Sequence, residues 1–122
     1  MGRYQRQKGK RGERQTATEL REAFPSLAEG IRRGWQTRSG SDEPDVMGLP
    51  GYWLEVKTGA MPNPRAALKQ AEEARGWDER PIAIIRDDRK KPFAVLYWED
   101  LIELLKYKLE RMQHDDSGSV LR

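Results

Sequence analysis

The chain has 122 residues, the length of one ordinary domain, and its charged (35%) and hydrophobic (36%) fractions imply a small core with most polar positions facing water or a partner. Cysteine is absent, which excludes disulfides, thiolate zinc sites and cysteine nucleophiles, and no stretch nears the roughly 20 apolar residues of a membrane span, so a soluble cytoplasmic protein with no membrane partner is expected. The net charge of +3 divides unevenly: residues 1–40 carry ten Lys or Arg against four Glu, and the remainder carry thirteen against sixteen acids, which points to a polyanion held by one part of the chain and processed by another.

Residues 1–10, MGRYQRQKGK, have no apolar periodicity and read as a flexible basic arm. A domain over 11–112 follows. From about Arg11, the apolar residues Ala17, Leu20, Phe24 and Leu27 recur at helical spacing, and Pro25 ends the helix near Ala23 or Phe24. Glu13, four residues before Ala17, projects from the inward face of that helix. Ile31 to Thr37 reads as a weak strand and RSGSDEP as a turn. Asp45–Gly48 and Tyr52–Thr58 then form a hairpin across LPG. Asn63 caps a helix that Gly76 closes, and PIAIIRDD and KPFAVLYW are two further strands, the first almost wholly apolar and therefore central. A last helix, EDLIELLKYKLERM, carries an apolar stripe of Leu101, Leu104, Leu105, Leu109 and Met112, and residues 113–122 read as a disordered tail. The order α-β-β-β-α-β-β-α describes an α/β domain whose sheet is flanked by helices.

The chemistry concentrates in DEPDVMGLPGYWLEVKTG, Asp42 to Gly59. Alternation along WLEVK puts Glu55 and Lys57 on one face and Leu54 and Val56 on the other. If the hairpin closes symmetrically about Pro50, Asp45 falls opposite Glu55 with Cβ atoms about 5 Å apart. Two carboxylates so placed repel unless one is protonated or a cation lies between them. An all-oxygen donor set, with the single histidine far away at His114, favours a hard ion such as Mg²⁺ or Mn²⁺. Such an ion acidifies bound water and neutralises charge on a phosphodiester, and Lys57 would orient that water or stabilise the developing charge. Glu13 adds a third carboxylate if its helix packs beside this face. The alternative is a solvated hairpin face whose Asp, Glu and Lys form ordinary salt bridges.

Pro44-Asp45, a short turn and then Glu55-Val56-Lys57 resemble the signature of the PD-(D/E)XK nucleases, the restriction-endonuclease-like superfamily. KGKRGERQTATEL resembles the opening helix of archaeal-type Holliday junction resolvases, and RSGSDEPD, Arg38 to Asp45, is similar to the run those enzymes carry before the metal-binding aspartate. The resemblance covers residues 8 to about 100 and implies a restriction-endonuclease-like domain with a central mixed β-sheet. It implies that Asp45, Glu55 and the carbonyl of Val56 ligate Mg²⁺, with Mn²⁺ able to substitute, that Glu13 assists the metal or its water, and that Lys57 positions the nucleophile. Ser39 or Ser41 would touch the scissile strand, and Gln70 resembles an accessory helix glutamine, the alternative being an ordinary solvated residue. The gap from Arg38 to Asp45 is one residue shorter than the family pattern. The compact size resembles a phage or prophage version.

By the same resemblance the chain would act as a homodimer on four-way DNA junctions, with Trp35, Trp53, Trp77 and Trp98 available to an interface or to the core. Arg3, Arg6, Lys8, Lys10, Arg11, Arg14 and Arg38 suit a phosphate backbone rather than base edges. Two other readings use the same residues: a repair or restriction-like nuclease acting on ends, flaps or mismatches, and a non-catalytic DNA-binding module of the same fold.

Overall fold

A computed structural model of the chain describes residues 3–35 and 43–118. Its elements are α1 (Arg3–Ala23), a 3-10 helix (Pro25–Gly30), β1 (Arg32–Arg33), β2 (Val46–Met47), β3 (Tyr52–Gly59), α2 (Pro64–Ala74), β4 (Arg80–Asp87), β5 (Phe93–Val95) and α3 (Trp98–Gly118). They build one small α/β domain around a mixed sheet ordered β1-β2-β3-β4-β5. Only the β3–β4 pair is parallel, running from Tyr52 opposite Arg80 to Gly59 opposite Asp87. The apolar strand β4 lies inside the sheet, and β3 occupies its centre.

α1 starts at Arg3, not near Arg11, so the expected arm over 1–10 is helical through most of its length. Arg, Gln and Lys are good helix formers, and they extend a helix that the core already nucleates without adding any apolar repeat to betray it. Pro25, which cannot continue an α-helix, sets the other end at Ala23. Gly12 lets α1 approach β3 closely: a Cβ there would lie 2.3 Å from Thr58 Cγ2. α2 opens on Asn63, whose Oδ1 accepts the Ala66 N–H at 3.1 Å, with Pro64 in the first turn. It ends at Ala74 with an extended Arg75, before Gly76, whose N–H is taken by the Glu79 carboxylate at 2.7 Å.

Alternation along the strands divides the core in two. Leu54 and Val56 join Val46, Ile31 and Ala17 of α1 on one face, with Ile82 and Ile84 beside them. Ala83 and Ile85 meet Ala67 and Leu68 of α2 on the other. Each fully buried aliphatic side chain contributes on the order of 1.5–3 kcal/mol, so this lean set of contacts has little to spare.

α3 departs from the expected pattern. Its base is held by Arg80, which pairs with Asp100 at 3.3 Å and Glu103 at 3.2 Å, but every side chain from Ile102 to His114 is exposed. Of the leucine stripe only Leu101 is half-buried, and Leu104, Leu105, Leu109 and Met112 are exposed. The helix also continues to Gly118, into the segment expected to be disordered. Of the tryptophans only Trp53 is buried, while Trp35, Trp77 and Trp98 are exposed. No helix among the described residues is long and apolar enough to cross a membrane.

Candidate active site

β2 and β3 pair antiparallel with Val46 opposite Leu54. In that register the neighbouring residues Asp45 and Glu55 come opposite one another, and their carboxyl groups share a hydrogen bond. Asp45 Oδ2 also accepts the Val56 N–H at 2.8 Å. The N–H and C=O of one strand residue point the same way, so the Val56 carbonyl faces the Asp45 edge too. Glu55 is only 2% exposed, and its Oε1 accepts the indole N–H of Trp53 at 2.8 Å. Strand alternation puts Trp53, Glu55 and Lys57 on the face covered by α2, with Lys57 half-buried.

The electrostatics follow from this crowding. Burial first, then the shared hydrogen bond and repulsion with Glu55, push the Asp45 carboxyl up to about 7, while the Val56 N–H and the Lys57 charge pull it back. Glu13 is also raised, by burial and then by Asp45, and is held back by Arg33, whose Nε donates to its Oε1 at 2.9 Å.

Glu13 therefore lies within electrostatic range of Asp45, but its helix packs on the opposite, Leu54/Val56 face of the sheet. Its carboxylate is engaged by Arg33. Among the described residues no group of three or more His, Cys, Asp or Glu side chains is gathered as an all-protein metal cage would be. The Asp45–Glu55 pair nonetheless fits a hard dication that retains most of its waters, because two carboxyls that hold one proton between them are where such an ion would replace that proton. The Val56 carbonyl would complete the donor set.

The remaining expected residues scatter. Gln70 is exposed on α2. Lys8 pairs with Asp88, and Arg3, Lys10, Arg11 and Arg14 are exposed along α1. Arg38, Ser39 and Ser41 and the Arg6 side chain lie outside the described residues.

Two contributors were not singled out in the sequence for these roles. Trp53 was readable, since a residue two before Glu55 on a strand must share its face. Arg33 was not, because its pairing with Glu13 depends on how β1 meets α1 across twenty residues. Gly34, next to it, is required by close packing: a Cβ there would stand 1.8 Å from the Pro44 carbonyl oxygen. Its N–H donates to the Asp45 carbonyl at 3.0 Å, which ties the β1 segment to the carboxyl pair. Compared with models of protein families, with curated proteins and with solved structures, the chain matches none of them.

Proposed function

We propose that the chain is a metal-dependent endodeoxyribonuclease of the PD-(D/E)XK kind, with a restriction-endonuclease-like fold, that hydrolyses phosphodiesters in branched DNA and resolves four-way junctions by paired nicks in the cytoplasm of a bacterial or phage-infected cell. The observation that carries this reading is the Asp45–Glu55 carboxyl pair, joined across β2 and β3 with Lys57 on the same face as Glu55. A solvated hairpin face would leave such groups in water. Glu55 is instead buried and oriented by the Trp53 indole.

In this reading Asp45, Glu55 and the Val56 carbonyl hold Mg²⁺, or Mn²⁺ in its place. The bound ion supplies charge neutralisation at the phosphodiester and a more acidic water. Lys57 orients the attacking water or offsets charge on the phosphate. The Val56 N–H fixes one Asp45 oxygen and Trp53 fixes one Glu55 oxygen, so the pair presents its remaining oxygens in a set direction. Glu13 is an accessory acid, steadied by Arg33, that adds negative charge near the ion.

The homodimer is part of the proposal, and α3 supports it. Trp98, Ile102, Leu105, Leu109 and Met112 are spaced four and three apart in turn, a heptad seam, and are 38–69% exposed. Most helical stability in proteins comes from packing an apolar face, so a free-standing helix gains from having such a seam covered. An antiparallel second copy that sets Trp98 against Leu109 and Ile102 against Leu105 brings Glu99 near Lys106 of the other copy, twice by symmetry.

The test is strand-resolved cleavage of a synthetic four-way junction with Mg²⁺, beside flap and linear duplexes of matched length. Paired symmetric nicks in the junction are expected. Equal or greater cutting of the linear duplex rejects resolution, and no cutting of any substrate rejects the nuclease.

A further inference from the structure

A cavity of about 360 Å³ opens between α1 and β1, lined chiefly by Arg14, Arg21, Arg32, Arg33, Gly34 and Trp35. Four guanidinium groups in one wall are unusual enough to ask what they meet. Arg33 is taken by Glu13, Arg32 lies 3.5 Å from Glu43, and Arg21 donates to the Ile31 carbonyl at 2.7 Å. The Arg14 side chain has no ion pair among the described residues. The groove therefore keeps an excess of two positive charges after its acids are counted, with donors to spare on each fork.

Trp35 stands at the rim and is 73% exposed. A lone exposed tryptophan needs no explanation. This one sits on an anchored stretch of main chain: its backbone N–H donates to Glu43 Oε1 at 2.6 Å, and the same carboxylate faces Arg32. An exposed aromatic face next to guanidinium forks is the arrangement that stacks a nucleobase while the forks take its phosphate.

The helical arm extends the track. At 100° per residue, Arg3, Lys10, Arg14 and Arg21 fall within a sector of about 40° on α1, so they form one basic stripe that enters the groove. Gly34 closes the other end, bonded to the Asp45 backbone.

We infer that this groove seats one unpaired nucleotide of a DNA strand, its base stacked on Trp35 and its phosphate on Arg14 and Arg32, and that the α1 stripe carries the backbone leading to it. The inference rests on the nuclease reading only for the strand's destination, the carboxyl pair. It makes the preferred substrate a strand unpaired next to the cut, and it gives the exposed arm of α1 a direction.

The experiment is fluorescence anisotropy of labelled short oligo(dT) and of a matched duplex with the full chain in EDTA, where nothing is cut. Trp35→Ala should weaken oligo(dT) binding about tenfold or more, with Trp35→Phe within about twofold of the parent and duplex binding unchanged. Arg14→Ala should weaken both. Parental affinity of Trp35→Ala for oligo(dT), or displacement by polyglutamate as effective as by unlabelled oligo(dT), overturns the inference. The two readings fail separately: a chain that binds oligo(dT) through Trp35 but cuts nothing with Mg²⁺ keeps the groove and loses the nuclease, whereas junction cutting alongside an indifferent Trp35→Ala does the reverse.

Discussion

Trp53 and Glu55 lie two residues apart on β3, and the indole N–H of the first donates to Oε1 of the second at 2.8 Å. Both side chains are buried, so the bond is screened from water and sets the rotation of a carboxylate that has few alternatives. Trp53→Phe keeps an aromatic ring, smaller than the indole, and removes the donor. It should cost about 1–3 kcal/mol of stability, read from urea unfolding, and lower junction cleavage about tenfold or more while junction binding is retained.

The Asp45 carboxyl makes stability depend on pH in a defined direction. Its pKa in the folded chain is about 7 against an ordinary 3.8, so the folded state holds a proton that the unfolded state releases. The contribution is therefore present in full below pH 4 and is lost as the pH rises to about 7, an effect on the order of 2–4 kcal/mol. Thermal melts in EDTA should show the melting temperature falling across that window. In Asp45→Asn the slope should largely vanish, because the amide still accepts from Val56 and donates to Glu55. Adding Mg²⁺ at pH 8 should raise the melting temperature of the parent and leave that of the variant unchanged.

Asp45→Asn, Glu55→Gln and Lys57→Ala should each reduce cleavage of a four-way junction by about 100-fold or more. Binding in EDTA, measured by gel shift, should stay near the parental value. Cutting at the parental rate by any of the three removes that residue from the proposed chemistry.

Gly12 tests how closely α1 sits on β3. In an exposed helix Gly→Ala would stabilise by about 1 kcal/mol. Here the added methyl meets Thr58 Cγ2, so Gly12→Ala should instead destabilise by about 1–3 kcal/mol. Thr58→Ser in the same chain removes that methyl and should restore most of the loss, in chemical denaturation.

The α3 seam predicts a separation of assembly from folding. Leu105→Glu with Leu109→Glu should turn a dimer into a monomer by sedimentation and abolish paired nicks. The melting temperature of the domain should change little once dissociation is accounted for, because both leucines are exposed in the single chain.

Much of the site was legible because it is local. Asp45 and Glu55 are joined by one short turn, and strand alternation alone put Glu55 and Lys57 on one face. The burial of Glu55 was not legible: it follows from α2 lying over that face, and a Glu in a polar-looking strand reads as solvated until its cover is known. Helical spacing puts Glu13 on the inward side of α1, but which sheet face that helix covers is a tertiary choice, and it covers the Leu54/Val56 face. The start of α1 at Arg3 escaped because a solvent-exposed extension has no apolar period, and the α3 stripe, equally periodic whether it meets its own domain or another, could not say which.

The two long strands, β3 and β4, are both interior, while the outermost ribbons, β1 and β5, are two and three residues long. Among the described residues, their unpaired amides and carbonyls make a short template for a foreign strand, the kind of edge that disfavours fibril growth. Backbone zippering between copies is thereby disfavoured, and the proposed dimer would form through side chains on α3.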